Sequence, residues 1–129
     1  MAANTSPIFP LTPNIGLAQV SAANTNRDGT GTIVTVFTAG ANGSRVEEAV
    51  IEGTGTTTAG VIRVFLHDGT NMRLIDEILV SAITPSTTVA VFRATIPSLA
   101  GKIIPTGWTL RSSTHNAETF NIVVWGGNY

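Results

Sequence analysis

Apolar and polar residues alternate along much of this chain. Ile62, Val64 and Leu66 share one parity, with Arg63 and His67 on the other. Ala90, Phe92, Ala94 and Ile96 alternate around Arg93, and Phe120, Ile122 and Val124 around Asn121. Successive side chains of an extended chain point to opposite faces, so each row predicts a β-strand with one buried face. The rows are separated by Gly, Asn, Asp and Thr clusters of the kind that close turns. Together they predict about eight strands at roughly 8–12-residue spacing, over 15–22, 31–38, 45–52, 60–67, 71–81, 87–96, 108–112 and 119–125. Asp68-Gly69, between two such runs, is a strong hairpin signal. Residues 46–51 contain helix formers, but the run is short and flanked by strand signals. The predicted fold is all-β: antiparallel strands in a single β-sandwich or jelly roll, with a small barrel as second choice. Alternation does not encode strand order.

The faces opposite these rows are also apolar. Val61 and Phe65 flank Arg63, Val89 and Val91 precede Arg93, and Val123 and Trp125 follow Asn121. Antiparallel strands that are apolar on both sides need cover on both faces. Contact with another subunit is the expected cover; the alternative is a closed barrel with scattered exposed valines.

Composition points the same way. Charged residues make up 12% of the chain, about half the usual share. The single lysine, Lys102, stands against six arginines spread along the chain, and the net charge is −1. A sequence with so little surface charge is expected to hide surface against copies of itself or a larger body. No basic run or long-range field favours nucleic acid or an anionic membrane as partner. No apolar run approaches the roughly 20 residues of a membrane-spanning helix. The first residues lack the basic and apolar regions of a secretory signal, and cysteine is absent. The length suits one domain, divided into an extended arm over 1–14 and a β domain over 15–129. The arm carries Pro7, Pro10 and Pro13, each of which fixes φ and biases the preceding residue toward extended geometry. Ile8, Phe9 and Leu11 lie between them. These six residues are the candidate partner-binding set.

Few residues suggest catalysis. His67 and His115 are the only histidines, no Gly-x-Ser-x-Gly elbow accompanies them, and both read as turn residues. Glu47 and Glu48, like Asp76 and Glu77, are strand neighbours expected to point to opposite faces. Asn24, Asn26 and Asp28, followed by Gly29, match the first half of a calcium loop. The twelfth position is Thr35 rather than a bidentate glutamate, so the segment also reads as an Asx-closed turn. Neither an enzymatic activity nor a cofactor is expected. Trp108 and Trp125 are the candidate aromatic platforms if the domain instead binds carbohydrate; for Trp108 the competing reading is a core anchor at a strand start.

The run Asn-Arg-Asp-Gly-Thr-Gly-Thr-Ile-Val-Thr-Val-Phe-Thr-Ala-Gly at 26–40 resembles small all-β virion proteins of tailed phages, as does Thr-Thr-Ala-Gly-Val-Ile-Arg-Val-Phe-Leu-His-Asp-Gly at 57–69. The likeness extends in style to Leu-Val-Ser-Ala-Ile-Thr-Pro at 79–85. Among proteins of this size, capsid decoration or cement proteins are the nearest in character. The resemblance implies a homo-oligomer, typically a trimer, bound to the major capsid protein on the virion surface, with the N-terminal arm making the lattice contact. It carries over no catalytic residue. A receptor- or carbohydrate-binding module of a tail fibre or head spike would show similar patterns.

Overall fold

The computed structural model describes residues 9–129. Among them nine strands form two antiparallel sheets packed face to face. The strands are β1 (Thr12–Val20), β2 (Val34–Thr38), β3 (Ser44–Gly53), β4 (Gly60–His67), β5 (Met72–Val80), β6 (Arg93–Thr95), β7 (Ile103–Ile104), β8 (Thr109–Thr114) and β9 (Phe120–Asn128). A single 3-10 turn spans Pro97–Leu99. One sheet runs β1-β9-β3-β6, with β7 beside the start of β3; the other runs β2-β8-β4-β5. The chain thus forms an open sandwich rather than a closed barrel.

The alternating rows face each other as expected. Phe120, Ile122 and Val124 from one sheet meet Ile62 and Val64 from the other, joined by Val20, Ile51, Val36 and Leu110. Phe92 packs edge-on against Phe120, with ring centroids 6.1 Å apart. Ala90, which the sequence pattern placed in this row, is exposed. The predicted strand over 87–96 survives only as β6. Residues ahead of it cross from one sheet to the other, and the Ser86 hydroxyl accepts the N–H groups of Thr88 and Val89 in a tight turn. Side chain-to-backbone bonds of this kind compete with a strand ladder. Strand β7 had no counterpart in the sequence pattern.

The Asp68-Gly69 hairpin joins β4 to β5. The Asp68 carboxylate accepts the N–H groups of Thr70 and Asn71, and Gly69 takes φ +101°. Strand β1 begins at Thr12 and stays in register with β9 to its end, pairing Thr12 with Asn128 and Val20 with Phe120. Thr12, Pro13 and Asn14, assigned to the arm from sequence, therefore belong to the sheet.

Along one side the two sheets close on each other. The Asn14 side chain donates to Thr38 O at 2.9 Å, and Gly16 lies so near β2 that a Cβ there would sit 2.2 Å from Val36 O. The obstacle is backbone, which cannot rotate away. Gly16→Ala is expected to destabilise the domain by about 3 kcal/mol, the upper part of the overpacking range, as read from the denaturant midpoint.

Candidate assembly surface

Two outer faces bear on function, and the chain treats them differently. On the β2-β8-β4-β5 sheet the outer residues Arg63 and Phe65 are buried, Arg63 at 1% exposure. Over Arg63 the cover is the chain's own segment 21–33. The Arg63 guanidinium donates to Asn24 O at 3.0 Å and to Glu77 at 3.1 Å, and meets His115 Nδ1 at 3.1 Å. Glu77 also accepts from Arg27 at 2.8 Å. Subunit contact, the cover expected from sequence, is not needed at Arg63 and Phe65. A buried guanidinium whose donors are met by a carboxylate, a carbonyl and an imidazole avoids the cost of an unpaired buried charge. His115 accordingly belongs to this cluster rather than to a solvent-facing turn.

Segment 21–33 holds itself in shape through its amides. Asn24 Nδ2 donates to the carbonyls of Thr30 and Thr32, and Asn24 Oδ1 accepts from Asn26 N–H. Asn26 Nδ2 donates to the Thr30 hydroxyl. Asp28 accepts both the N–H and the hydroxyl of Thr30. The calcium-loop candidates Asn24, Asn26 and Asp28 are thus each engaged in bonds inside the loop. Among the described residues no group of three or more His, Cys, Asp or Glu side chains is arranged to hold a metal ion.

Hydrogen bonds from Arg27, assisted by its charge and that of Arg63, lower the Glu77 pKa against a smaller desolvation effect. Bonds from Thr30 lower that of Asp28, and backbone bonds from Asn71 and Thr70 lower that of Asp68. A carboxylate whose pKa is depressed by folding stabilises the fold above its unfolded pKa and loses that contribution as pH falls through its folded value. The stability contributed by these three carboxylates is therefore expected to be complete well above their unfolded values and to be lost as pH falls below about 4. In a series of denaturation curves, Glu77→Gln should show a shallower acid limb than wild type.

The outer face of the β1-β9-β3 sheet is different. Ile15 stands opposite Trp125, Leu17 opposite Val123, and Gln19 opposite Asn121. Leu17 is 75% exposed, and Ile15 and Trp125 are about half exposed. On β3, Val50 continues the Leu17–Val123 row and Glu48 the Trp125 row. The row runs on toward the chain start through Pro13 to Leu11, which is 84% exposed. Leu11 remains tied to the sheet, its N–H donating to Asn128 O at 2.7 Å. Pro10 is seated on Gly127, where a Cβ would lie 2.6 Å from the proline ring. Gln19 and Asn121, hydrogen-bonded at 2.9 Å, and Glu48 and Glu52 supply the polar rim. Among the described residues nothing covers the stripe of Leu11, Pro13, Ile15, Leu17, Val123 and Trp125, the arrangement that marks an interaction surface.

No protein-family model matches this chain, and no curated protein matches it. A solved structure described as a cyanophage Pam1 capsid asymmetric unit is similar over 99% of this chain and 94% of that one, with 17% identity and a TM-score of 0.43. So loose a superposition carries no functional argument, and function has to be read from the surfaces themselves.

Of the partner-binding candidates, Phe9, Pro10, Leu11 and Pro13 lead into and line the exposed stripe, with Phe9 73% exposed. Pro7 and Ile8 lie outside the described residues. Trp108 packs against the core, which leaves Trp125 as the more exposed indole. The carboxylate pairs diverge from expectation at one point. A bulge between Val46 and Glu48 leaves both Glu47 and Glu48 exposed, whereas Asp76 and Glu77 do point apart, to Ser98 and Arg63. The outward row of β1 was missed in the sequence because prolines, Gly16 and Ala18 blur its alternation. The regular spacing of Leu11, Pro13, Ile15 and Leu17 was the available signal.

Proposed function

We propose that this chain is a non-enzymatic structural virion protein, a capsid decoration or cement protein that oligomerises, as a trimer, and binds the major capsid protein at the capsid surface. The observation that carries this reading is the uncovered apolar stripe on the β1-β9-β3 sheet. A chain with 12% charged residues and a row of leucine, isoleucine, valine and tryptophan side chains facing solvent is built to be covered. A flat sheet face suits a protein shell better than a small ligand, which needs a concave site. Strand order adds support. With the two-residue β7 left aside, the two sheets interleave in chain order as first-eighth-third-sixth and second-seventh-fourth-fifth. That is the order of a jelly roll, a sandwich used by viral capsid proteins and by lectins.

The lectin alternative would rest on Trp125. Its indole is half exposed between Ile15 on β1 and Glu48 on β3, so one carboxylate is the only polar group directly across the strands from it. Sugar recognition needs polar groups beside the aromatic face, so the stripe favours a protein partner.

The test is attachment to particles. Capsids purified from a culture carrying this sequence should contain the chain, as detected by mass spectrometry. Recombinant chain added to capsids stripped of it should co-sediment and raise their resistance to heat. Capsids that neither contain the chain nor bind it would refute the reading.

A further inference from the structure

On the side opposite the β1–β2 closure the sandwich gapes. A groove of about 290 Å³ opens there between the sheets. Leu66, Leu99 and Leu110 form its floor, Ile75 and Ile103 its exposed walls, and Lys102 stands at its rim. Strand β7, which carries Ile103, pairs with β3 at Ser44, the residue that pairs on its other side with Asn128 of β9. Strand β1 starts beyond β9 at that same end. The groove and the Phe9–Leu11 projection thus occupy opposite edges of one sheet end, about three strand spacings or roughly 14 Å apart.

We infer that Phe9 and Leu11 of one copy insert into the Leu66–Ile75–Leu99–Ile103 groove of the next, joining copies head to tail. This inference rests on the oligomeric reading above and names its contact. Three observations select a second copy as the occupant. Phe9 and Leu11 are 73% and 84% exposed while the backbone at Leu11 is anchored to Asn128. Two apolar side chains are therefore presented by a fixed strand end. The groove has the capacity: a cavity of about 150 Å³ accepts a benzene ring, so this one takes the Phe9 ring with room for part of Leu11. The rims carry opposite charges. Among the described residues Lys102, the chain's only lysine, makes no ion pair, and Glu47, which accepts from Arg45 at 2.8 Å and keeps its second oxygen free for a further partner, lies beside Pro10 and Leu11. A net charge of −1 adds little repulsion between copies. A contact that joins one edge to a different edge is heterologous and closes into a ring when the rotation per copy divides the circle.

Native mass spectrometry of full-length chains tests this. Phe9→Ser with Leu11→Ser removes the projection, and Ile103→Glu spoils the groove. All three positions are exposed, so thermal melts should remain close to wild type. The wild-type chain is expected to form a closed oligomer, and each variant alone to be monomeric. An equimolar mixture of the two variants should yield a 1:1 dimer, because one chain keeps a sound groove and the other a sound projection. The chain has no cysteine, so oxidising a mixture of Phe9→Cys and Ile103→Cys chains gives an independent readout, with the mixed disulfide dominant. A monomeric wild type, variants that stay oligomeric, or a mixture that stays monomeric would each overturn the contact. The two readings fail separately. A monomer that still binds capsids defeats the groove contact and the trimer but leaves the virion assignment standing, whereas an oligomer joined through the groove that never binds capsids defeats only the virion assignment.

Discussion

Arg63→Ala is expected to cost about 3–5 kcal/mol, in the range of severe core truncations. The side chain is buried and large, so its removal leaves a void beneath segment 21–33. It also strips a donor from Asn24 O and a partner from His115 Nδ1. A buried acceptor left unmet costs about 1–3 kcal/mol by itself. Arg63→Met separates the two effects. Methionine refills most of the void and leaves only the unmet acceptors, so its cost should lie near that smaller figure. Urea denaturation measures both, and amide exchange over 24–32 shows whether the loss is local. Should alanine and methionine prove equally mild, under about 1 kcal/mol, the cluster is not what holds the segment down.

The second large effect concerns attachment rather than stability. Leu17→Asp with Val123→Asp places two carboxylates in the centre of the exposed stripe. If that stripe seats on the capsid, burying either charge unpaired is strongly unfavourable. Truncating a hot-spot residue, of the kind found near the centre of an interface, costs about 2 kcal/mol or more, about a thirty-fold loss in affinity. The double variant should therefore fail to co-sediment with capsids at concentrations where wild type saturates them. Folding should be affected far less than binding, since Leu17 is mostly exposed and Val123 lies on the outer face. Retained binding would show that another surface makes the capsid contact. The carbohydrate alternative predicts a different pattern, with Trp125→Ala abolishing glycan binding and capsid attachment unaffected.

The two outer faces, alike in sequence, part ways in the fold: on one the chain covers its own apolar residues, and on the other they stay exposed among the described residues. Val61 and Phe65 around Arg63, and Val123 and Trp125 after Asn121, look alike as strings of letters. In three dimensions Arg63 lies beneath the chain's own segment and Phe65 beside it is buried, while Trp125 remains half exposed. The difference lies in residues 21–33, distant in sequence from both, whose Asx bonds shape a lid that Arg63 then fastens. No local pattern reveals where a loop will settle. Likewise, the bulge at Glu47 defeats a strict period of two, because one extra residue resets which side each later side chain faces.

The sequence by itself determined the all-β class, the Asp68-Gly69 hairpin and the inward rows of β4 and β9. Each of these depends on period-two alternation or turn chemistry, which are local properties of the chain. Tertiary structure alone decided the interleaved strand order, the self-made cover over Arg63, the β7 pairing with its open groove, and the long outward row on β1. Each of these joins segments far apart in the chain, and the physical terms that settle them, burial and the pairing of buried polar groups, exist only once those segments meet.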